Sequence, residues 1–105
     1  MNLASGLRVY ETRKGEWFLA RSVAEAVATV LRVHQVATEA EAKRRGLLSG
    51  DGPRELSDLE LRQQPIDVKR EGGRGLMNFA EFLEEIQPED PDFFASVVWD
   101  RPWVR

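Results

Sequence analysis

The strongest constraint in this sequence is a short reversal near its start, in residues 7–20, LRVYETRKGEWFLA. Two stretches rich in branched and aromatic side chains flank Lys14 and Gly15, and such residues favour β-strands. Gly15 can adopt the positive φ angle that a tight turn requires. The pattern predicts an N-terminal β-hairpin. Since two strands alone are marginally stable in water, the rest of the chain has to cover them.

Four later segments carry helix start signals, in which a capping side chain is followed three residues on by glutamate. One pair, Ser57 with Glu60, lies in a segment whose pattern also fits a strand. The other three pairs are Ser22 with Glu25, Thr38 with Glu41, and Asn78 with Glu81. They predict helices over residues 22–36, 38–46 and 79–87, and Gly46 is placed to end the second.

Apolar residues at helical spacing mark the faces of the first and third of these helices. In the first, the predicted face consists of Val23, Val27, Val30, Leu31 and His34. In the third, it consists of Phe79, Phe82, Leu83 and Ile86.

The remaining segments are less regular. Residues 49–53, SGDGP, indicate a loop. Residues 55–64 fit either a helix or a strand, and we favour a short helical turn followed by a strand at 66–70. EGGRG, residues 71–75, is predicted as a turn. Asp90-Pro91-Asp92 resembles a helix start, and it predicts a last helix over 91–99 that buries Phe93 or Phe94 with Val97.

Together these elements predict a small single domain of the α+β class over residues 1–105. The N-terminal hairpin, which the strand at 66–70 could extend, would be packed by three to four short helices. The composition, 42% hydrophobic and 31% charged, is that of a folded domain.

Composition also excludes several classes of function. The chain has no cysteine, which excludes disulfides, thiolate metal sites and cysteine nucleophiles. The longest apolar run is four residues, and the N-terminus lacks a secretory signal, so we expect no membrane span. We expect a cytoplasmic protein.

No catalytic or cofactor pattern stands out. His34 is the sole histidine, and its place on an apolar helix face favours a structural role. The acids at 84–92 lack the spacing of a calcium loop and favour a solvated face, and EGGRG lacks the lysine and hydroxyl of a phosphate-binding loop. We therefore predict a protein that is not an enzyme and has no cofactor and no metal.

The C-terminal segment, residues 78–105, differs from the body. Residues 75–105 hold two Lys and Arg against seven Asp and Glu, and four large aromatic residues lie in the last sixteen positions. Aromatic side chains contribute much of the binding free energy at protein interfaces, and charged side chains speed the association of oppositely charged partners. This segment therefore predicts docking on a basic protein partner or homodimerisation. The alternative, that the terminal indoles fold back as a lid, stays open. The predicted protein-binding residues are Glu89, Asp92, Trp99, Asp100 and Trp103.

A second hypothesis is DNA binding. The helices at 22–36 and 38–46 have about the spacing of a helix-turn-helix, and Lys43, Arg44 and Arg45 supply positive charge. Against it, the second helix opens with EAEA, whose acids would repel phosphates.

Residues 8–26, RVYETRKGEWFLARSVAEA, resemble the opening of the Bro-N domain of phage and viral antirepressors. The resemblance implies an α+β module, often DNA-binding, with Trp17, Phe18, Val23 and Ala24 in its core. It suggests a phage or mobile-element origin.

The favoured hypothesis for function is a non-enzymatic regulatory or interaction module, of inhibitor or antitoxin type. The alternative is a DNA-binding transcriptional regulator of the antirepressor type.

Overall fold

The computed structural model describes residues 3–70 and 73–96, and for residues 67–70, 73, 74 and 76 it describes the backbone alone. Six strands and four helices lie in this part of the chain. In order they are β1 Arg8–Arg13, β2 Glu16–Ala20, α1 Val23–His34, α2 Glu39–Arg44, β3 Arg54–Glu55, α3 Asp58–Arg62, β4 Pro65–Arg70, β5 Gly73–Asn78, α4 Phe79–Ile86 and β6 Asp92–Ser96. The α+β class is confirmed.

The N-terminal hairpin is confirmed. Strands β1 and β2 pair antiparallel, with Tyr10 opposite Phe18. Gly15 in the connecting turn has φ 80°, the left-handed conformation in which a residue without Cβ meets no steric penalty.

Four strands form the main sheet, in the order β3-β1-β2-β6, and each adjacent pair is antiparallel. The strand predicted at 66–70 is present as β4, but it does not extend this sheet. It pairs with β5 in a separate two-stranded sheet, and the main sheet is instead extended by β3 and β6.

Side chains alternate across β2 and enter two cores, one on each face of the sheet. Phe18 packs toward α1 and α2, with Val30 and Ala42. Trp17 packs on the opposite face, toward α3 and α4, with Leu61 and Leu83. The sheet therefore lies between two helical layers, and all five residues of β2 are buried.

The three helix starts predicted from capping pairs are confirmed, with bounds that differ by a residue or two. Asn78 and Glu81 form a reciprocal capping box at α4. At α1, Ser22 accepts from the Glu25 amide, but the Glu25 carboxylate accepts from the amide of Arg21, one residue earlier than in a full box. The helical alternative for residues 55–64 is also present, as α3. None of the described helices is long and apolar enough to span a bilayer.

The predicted last helix is wrong where the structure describes it, because residues 92–96 form strand β6; residues 97–99 lie outside the described part. In a helix, Phe93 and Phe94 would lie near one another on one side. In β6 they point to opposite faces, Phe93 toward Phe18 and Phe94 toward Phe79. Pairing with β6 also gives hydrogen-bond partners to the backbone of β2, whose buried polar groups would otherwise be costly.

Two core positions implied by the Bro-N resemblance are also wrong. Trp17 and Phe18 are fully buried, but Val23 is 51% exposed and Ala24 is exposed. The buried positions of α1 are Ala26, Thr29 and Val30. These side chains are small or branched, and the Thr29 hydroxyl is satisfied by donating to the Glu25 carbonyl at 2.7 Å, so the helix can approach the sheet on this face.

Candidate functional site

The C-terminal segment reaches the sheet through β6, and its aromatic residues lie on both faces of that strand. The Phe93 ring packs on Phe18 with 5.6 Å between ring centroids, and it remains 42% exposed. Phe94 is half-buried between Phe79, at 5.3 Å, and Phe82, at 6.3 Å. The predicted burial of one phenylalanine is therefore only partial, and Val97 lies outside the described residues.

A strip of apolar surface continues from Phe94 along α4. Phe82 is half-buried, and Ile86, one turn further on, is 49% exposed. Both belong to the stripe predicted for this helix, whose other members, Phe79 and Leu83, are buried. The side of the stripe formed by Phe82 and Ile86 is therefore accessible to solvent, and Phe82 joins it to Phe94 of β6.

Two arginines hold the connection between α4 and β6 by its main chain. Arg21 Nη2 donates to the carbonyl of Glu89 at 2.8 Å, and Arg21 Nε donates to the carbonyl of Ser5 at 3.1 Å. Arg32 Nη2 donates to the carbonyl of Pro91 at 3.0 Å. Charged donors make strong hydrogen bonds. These contacts fix the path by which the chain enters β6.

The acids of this connection have different surroundings. Asp92 Oδ1 accepts from the amide of Phe93 at 2.8 Å and lies 3.7 Å from Arg32 Nη2. Glu89 and Asp90 are exposed, and within the described ranges their carboxylates have no basic side chain within ion-pair distance. Asp90 lines both of two shallow grooves, of about 470 and 460 Å³, one beside Arg32 and the other beside Arg21. This connection therefore presents unneutralised negative charge.

Of the five predicted protein-binding residues, the structure places Glu89 on this connection and Asp92 at the first position of β6, next to the exposed Phe93. Trp99, Asp100 and Trp103 lie outside the described residues. Sequence reasoning missed Arg21, Arg32 and the solvent-accessible side of α4, at the half-buried Phe82 and the exposed Ile86. The α4 stripe was a signal for the latter two, but the arginines act across the fold and no local pattern indicates them.

His34 belongs to a polar cluster at the other end of α1. Its Nε2 lies 2.7 Å from Glu16 Oε1, and Arg13 Nη2 donates to Glu16 Oε2 at 2.9 Å. The Glu16 side chain is largely buried and the His34 side chain is partly buried. Glu16 thus has a partner on each oxygen, as a buried carboxylate requires. This cluster connects β1, β2 and α1.

In the described part of the chain, no group of three or more His, Asp or Glu side chains has a geometry that could hold a metal ion. The carboxylates of 84–92 are instead spread along α4 and the connection that follows.

The predicted DNA-binding cations lie in and just after α2. Lys43 pairs with Glu39 at 3.1 Å, and Arg45 lies 3.8 Å from Glu41. Arg44 is exposed. Only Ala42 of this six-residue helix is buried. The acids in the first turn of α2 therefore partly neutralise its basic residues.

Comparison with protein-family models, with curated proteins and with solved structures gave no match to this chain.

Proposed function

We propose that this chain is a non-enzymatic regulatory module that docks on a basic protein partner through its acidic, aromatic segment, residues 78–105. The observation that carries the proposal is the exposed aromatic side chain of Phe93, three to four residues after the exposed carboxylates of Glu89 and Asp90. Apolar anchors next to unpaired charge of one sign are typical of a surface that recognises a partner of opposite charge.

Preorganisation supports the same proposal. Arg21 and Arg32 hold the connection by its carbonyls, so its acids are displayed on a fixed backbone. A fixed surface loses less conformational entropy on association than a mobile one. Glu89 and Asp92 would contribute charge, and Trp99, Asp100 and Trp103 would extend the surface. Such a module suits an inhibitor or antitoxin of phage or mobile-element origin, acting in the cytoplasm.

The proposal is tested by affinity capture from the native cell with the wild-type chain and with Trp103→Ala, after nuclease treatment. We expect a protein partner that the wild type retains and that Trp103→Ala retains at least about tenfold less, because a truncated anchor costs 2 kcal/mol or more at a hot spot (about 1.4 kcal/mol per tenfold). Leu59→Ala is the control, since Leu59 is 65% exposed on α3, outside the segment. Equal capture by all three proteins would contradict the proposal.

A second candidate function is DNA binding, and one contact favours it. Arg13 Nη1 donates to the carbonyl of Gly46 at 3.0 Å, which brings the hairpin turn to the end of α2. The exposed cations Lys14, Arg44 and Arg45 therefore belong to neighbouring segments.

A mobility-shift assay with duplex DNA tests this second candidate. Binding at low salt should weaken as salt rises and weaken further in the variant Lys43→Ala/Arg44→Ala, because phosphate contacts release counterions. Absence of binding at low salt would exclude it.

A further inference from the structure

We propose that the outer edge of β6 is where the partner docks, by adding an extended segment in which apolar and basic residues alternate. This inference rests on the proposed docking function and states the form and chemistry of the partner segment.

The first support is the position of β6 in the sheet. It pairs with β2 along one side, and no strand among the described residues pairs with its other side. An exposed strand edge offers backbone donors and acceptors that an extended peptide can use. The opposite edge of the sheet is β3, which has only two residues, whereas β6 has five.

The second support is the arrangement of the side chains on β6. Phe93 points to the α1 side of the sheet and is exposed, and Phe94 points to the α4 side, where Phe82 and Ile86 extend its apolar surface. An added strand presents successive side chains to opposite faces. In an alternating segment all apolar side chains therefore point to one face, where they would contact either Phe93 on the α1 side or Phe94 on the α4 side.

The third support is charge. Residues 78–96 contain six acids and no Lys or Arg, namely Glu81, Glu84, Glu85, Glu89, Asp90 and Asp92. Of these, Glu84 pairs with Arg62 and Asp92 with Arg32. The exposed carboxylates of Glu89 and Asp90, which have no ion-pair partner among the described residues, favour a basic segment. They disfavour a second copy of this chain, because that copy would bring the same excess of negative charge to the interface.

One feature of β6 limits which segments can add. The amide of Phe93 already donates to the Asp92 carboxylate at 2.8 Å, a local bond that gives this amide an acceptor in the free protein. Strand edges are commonly protected against indiscriminate pairing by charged side chains. A partner segment therefore needs favourable binding free energy from charge and apolar contacts to pair next to this bond. A neutral strand would lack the charge contribution.

The test uses the full chain and a synthetic peptide, Lys-Val-Lys-Val-Lys-Val-Lys, followed by amide hydrogen exchange and NMR. We expect added protection and chemical-shift changes at residues 93–96, and contacts between peptide and β6 backbone protons. Two control peptides are Glu-Val-Glu-Val-Glu-Val-Glu, which reverses the charge, and Lys-Lys-Lys-Lys-Val-Val-Val, which removes the alternation. Both should bind at least about tenfold more weakly.

Two protein variants complete the test. Phe93→Asp should weaken peptide binding at least about tenfold, whereas Leu59→Asp, at an exposed apolar position on α3, should leave it unchanged. If Phe93→Asp does not fold, the amide hydrogen exchange of the wild type with the peptide still tests strand addition. Protection confined to other residues, equal binding of all three peptides, or no binding at millimolar peptide would overturn strand addition.

Failure of strand addition at β6 can be distinguished from failure of the proposed docking function. A partner captured by the wild type and lost in Trp103→Ala, together with peptide effects away from β6, would retain docking and refute strand addition. Self-association measured by sedimentation that Phe93→Asp abolishes would instead identify a second copy as the occupant and overturn the basic-segment proposal.

Discussion

Strands β2 and β6 are neighbours in one sheet and each contains two adjacent aromatic residues, yet they have opposite surroundings. In β2, EWFLA, every residue is buried. In β6, DFFAS, no residue is fully buried. Helices cover both faces of the sheet at β2, while β6 lies at the edge where that cover ends. Position in the sheet, more than residue type, therefore decides which aromatic side chains stabilise the fold and which remain available for contact.

The largest effect should come from the centre of the sheet. Trp17 is fully buried, packs edge-on against Phe79 at 5.1 Å and donates from Nε1 to Glu11 at 3.3 Å. We expect Trp17→Ala to lower the free energy of unfolding by about 3–5 kcal/mol, as other large-to-small core substitutions do. Urea unfolding followed by circular dichroism measures it. A loss below about 1 kcal/mol would show that β2 is not the energetic centre.

Neutralising the buried carboxylate of β2 should have a smaller effect than truncating a large core side chain. Glu16→Gln keeps the shape of the side chain but removes the charge that faces His34 and Arg13. We expect a loss of about 1–3 kcal/mol in the free energy of unfolding, because a charged hydrogen-bond partner is removed in a buried site. A double-mutant cycle with His34→Gln should show coupling between the two residues. Additive losses would show that their 2.7 Å contact does not contribute to stability.

A matched pair of substitutions compares the two strands directly. Phe18 and Phe93 lie opposite each other in the register of β2 and β6, with Phe18 fully buried and Phe93 exposed. Phe18→Ala should cost about 3–5 kcal/mol of unfolding free energy. Phe93→Ala should cost about 1 kcal/mol or less, since much of its ring already contacts water. Comparable losses measured by urea unfolding would remove the distinction between centre and edge.

The smallest effect on the free energy of unfolding should come from Glu60 of α3, which pairs with Arg54 of the other edge strand, β3. Hydrogen bonding to the Ser57 amide, with a further contribution from Arg54, holds the pKa of Glu60 below its ordinary value. A lowered folded-state pKa stabilises the protein above the ordinary glutamate pKa, and this stabilisation is lost as the pH falls through the lowered value. Because the side chain is about one-third exposed, solvent screening limits the effect, and Glu60→Gln should cost no more than about 1 kcal/mol at neutral pH.

Urea unfolding at neutral and acidic pH checks this prediction. The difference between wild type and Glu60→Gln should shrink as the pH falls below the glutamate range. A difference that stays constant with pH would mean that Glu60 acts through its shape and not through its charge.

Local signals in the sequence were sufficient for several elements. The Lys14-Gly15 turn, the cap at Asn78 and the helix end at Gly46 depend on neighbouring residues only, and each lies where it was predicted. The error at residues 92–96 has a different origin. Asp90-Pro91-Asp92 is a typical helix start, but residues 92–96 pair with the backbone of β2 instead. Because β2 is distant in the sequence, no local pattern indicates this pairing.

The candidate site was predictable in its composition and not in its arrangement. The acids and aromatics of the C-terminal segment are visible in the sequence, with Glu89 just before β6 and Asp92 at its first position. The contacts that arrange them come from Arg21 and Arg32, which are 68 and 59 residues distant from their carbonyl acceptors. Equally, Val23 and Leu59 show that an apolar residue in a helix can remain exposed when the adjoining layer does not reach it.

The arginine contacts to the carbonyls of Glu89 and Pro91 have a practical consequence. Any amino acid supplies a carbonyl, so Arg21 and Arg32 can hold this stretch of chain whatever side chains stand at positions 89 and 90. Those two positions could be randomised in a library without losing the scaffold, and partner preference could then be selected there separately from folding.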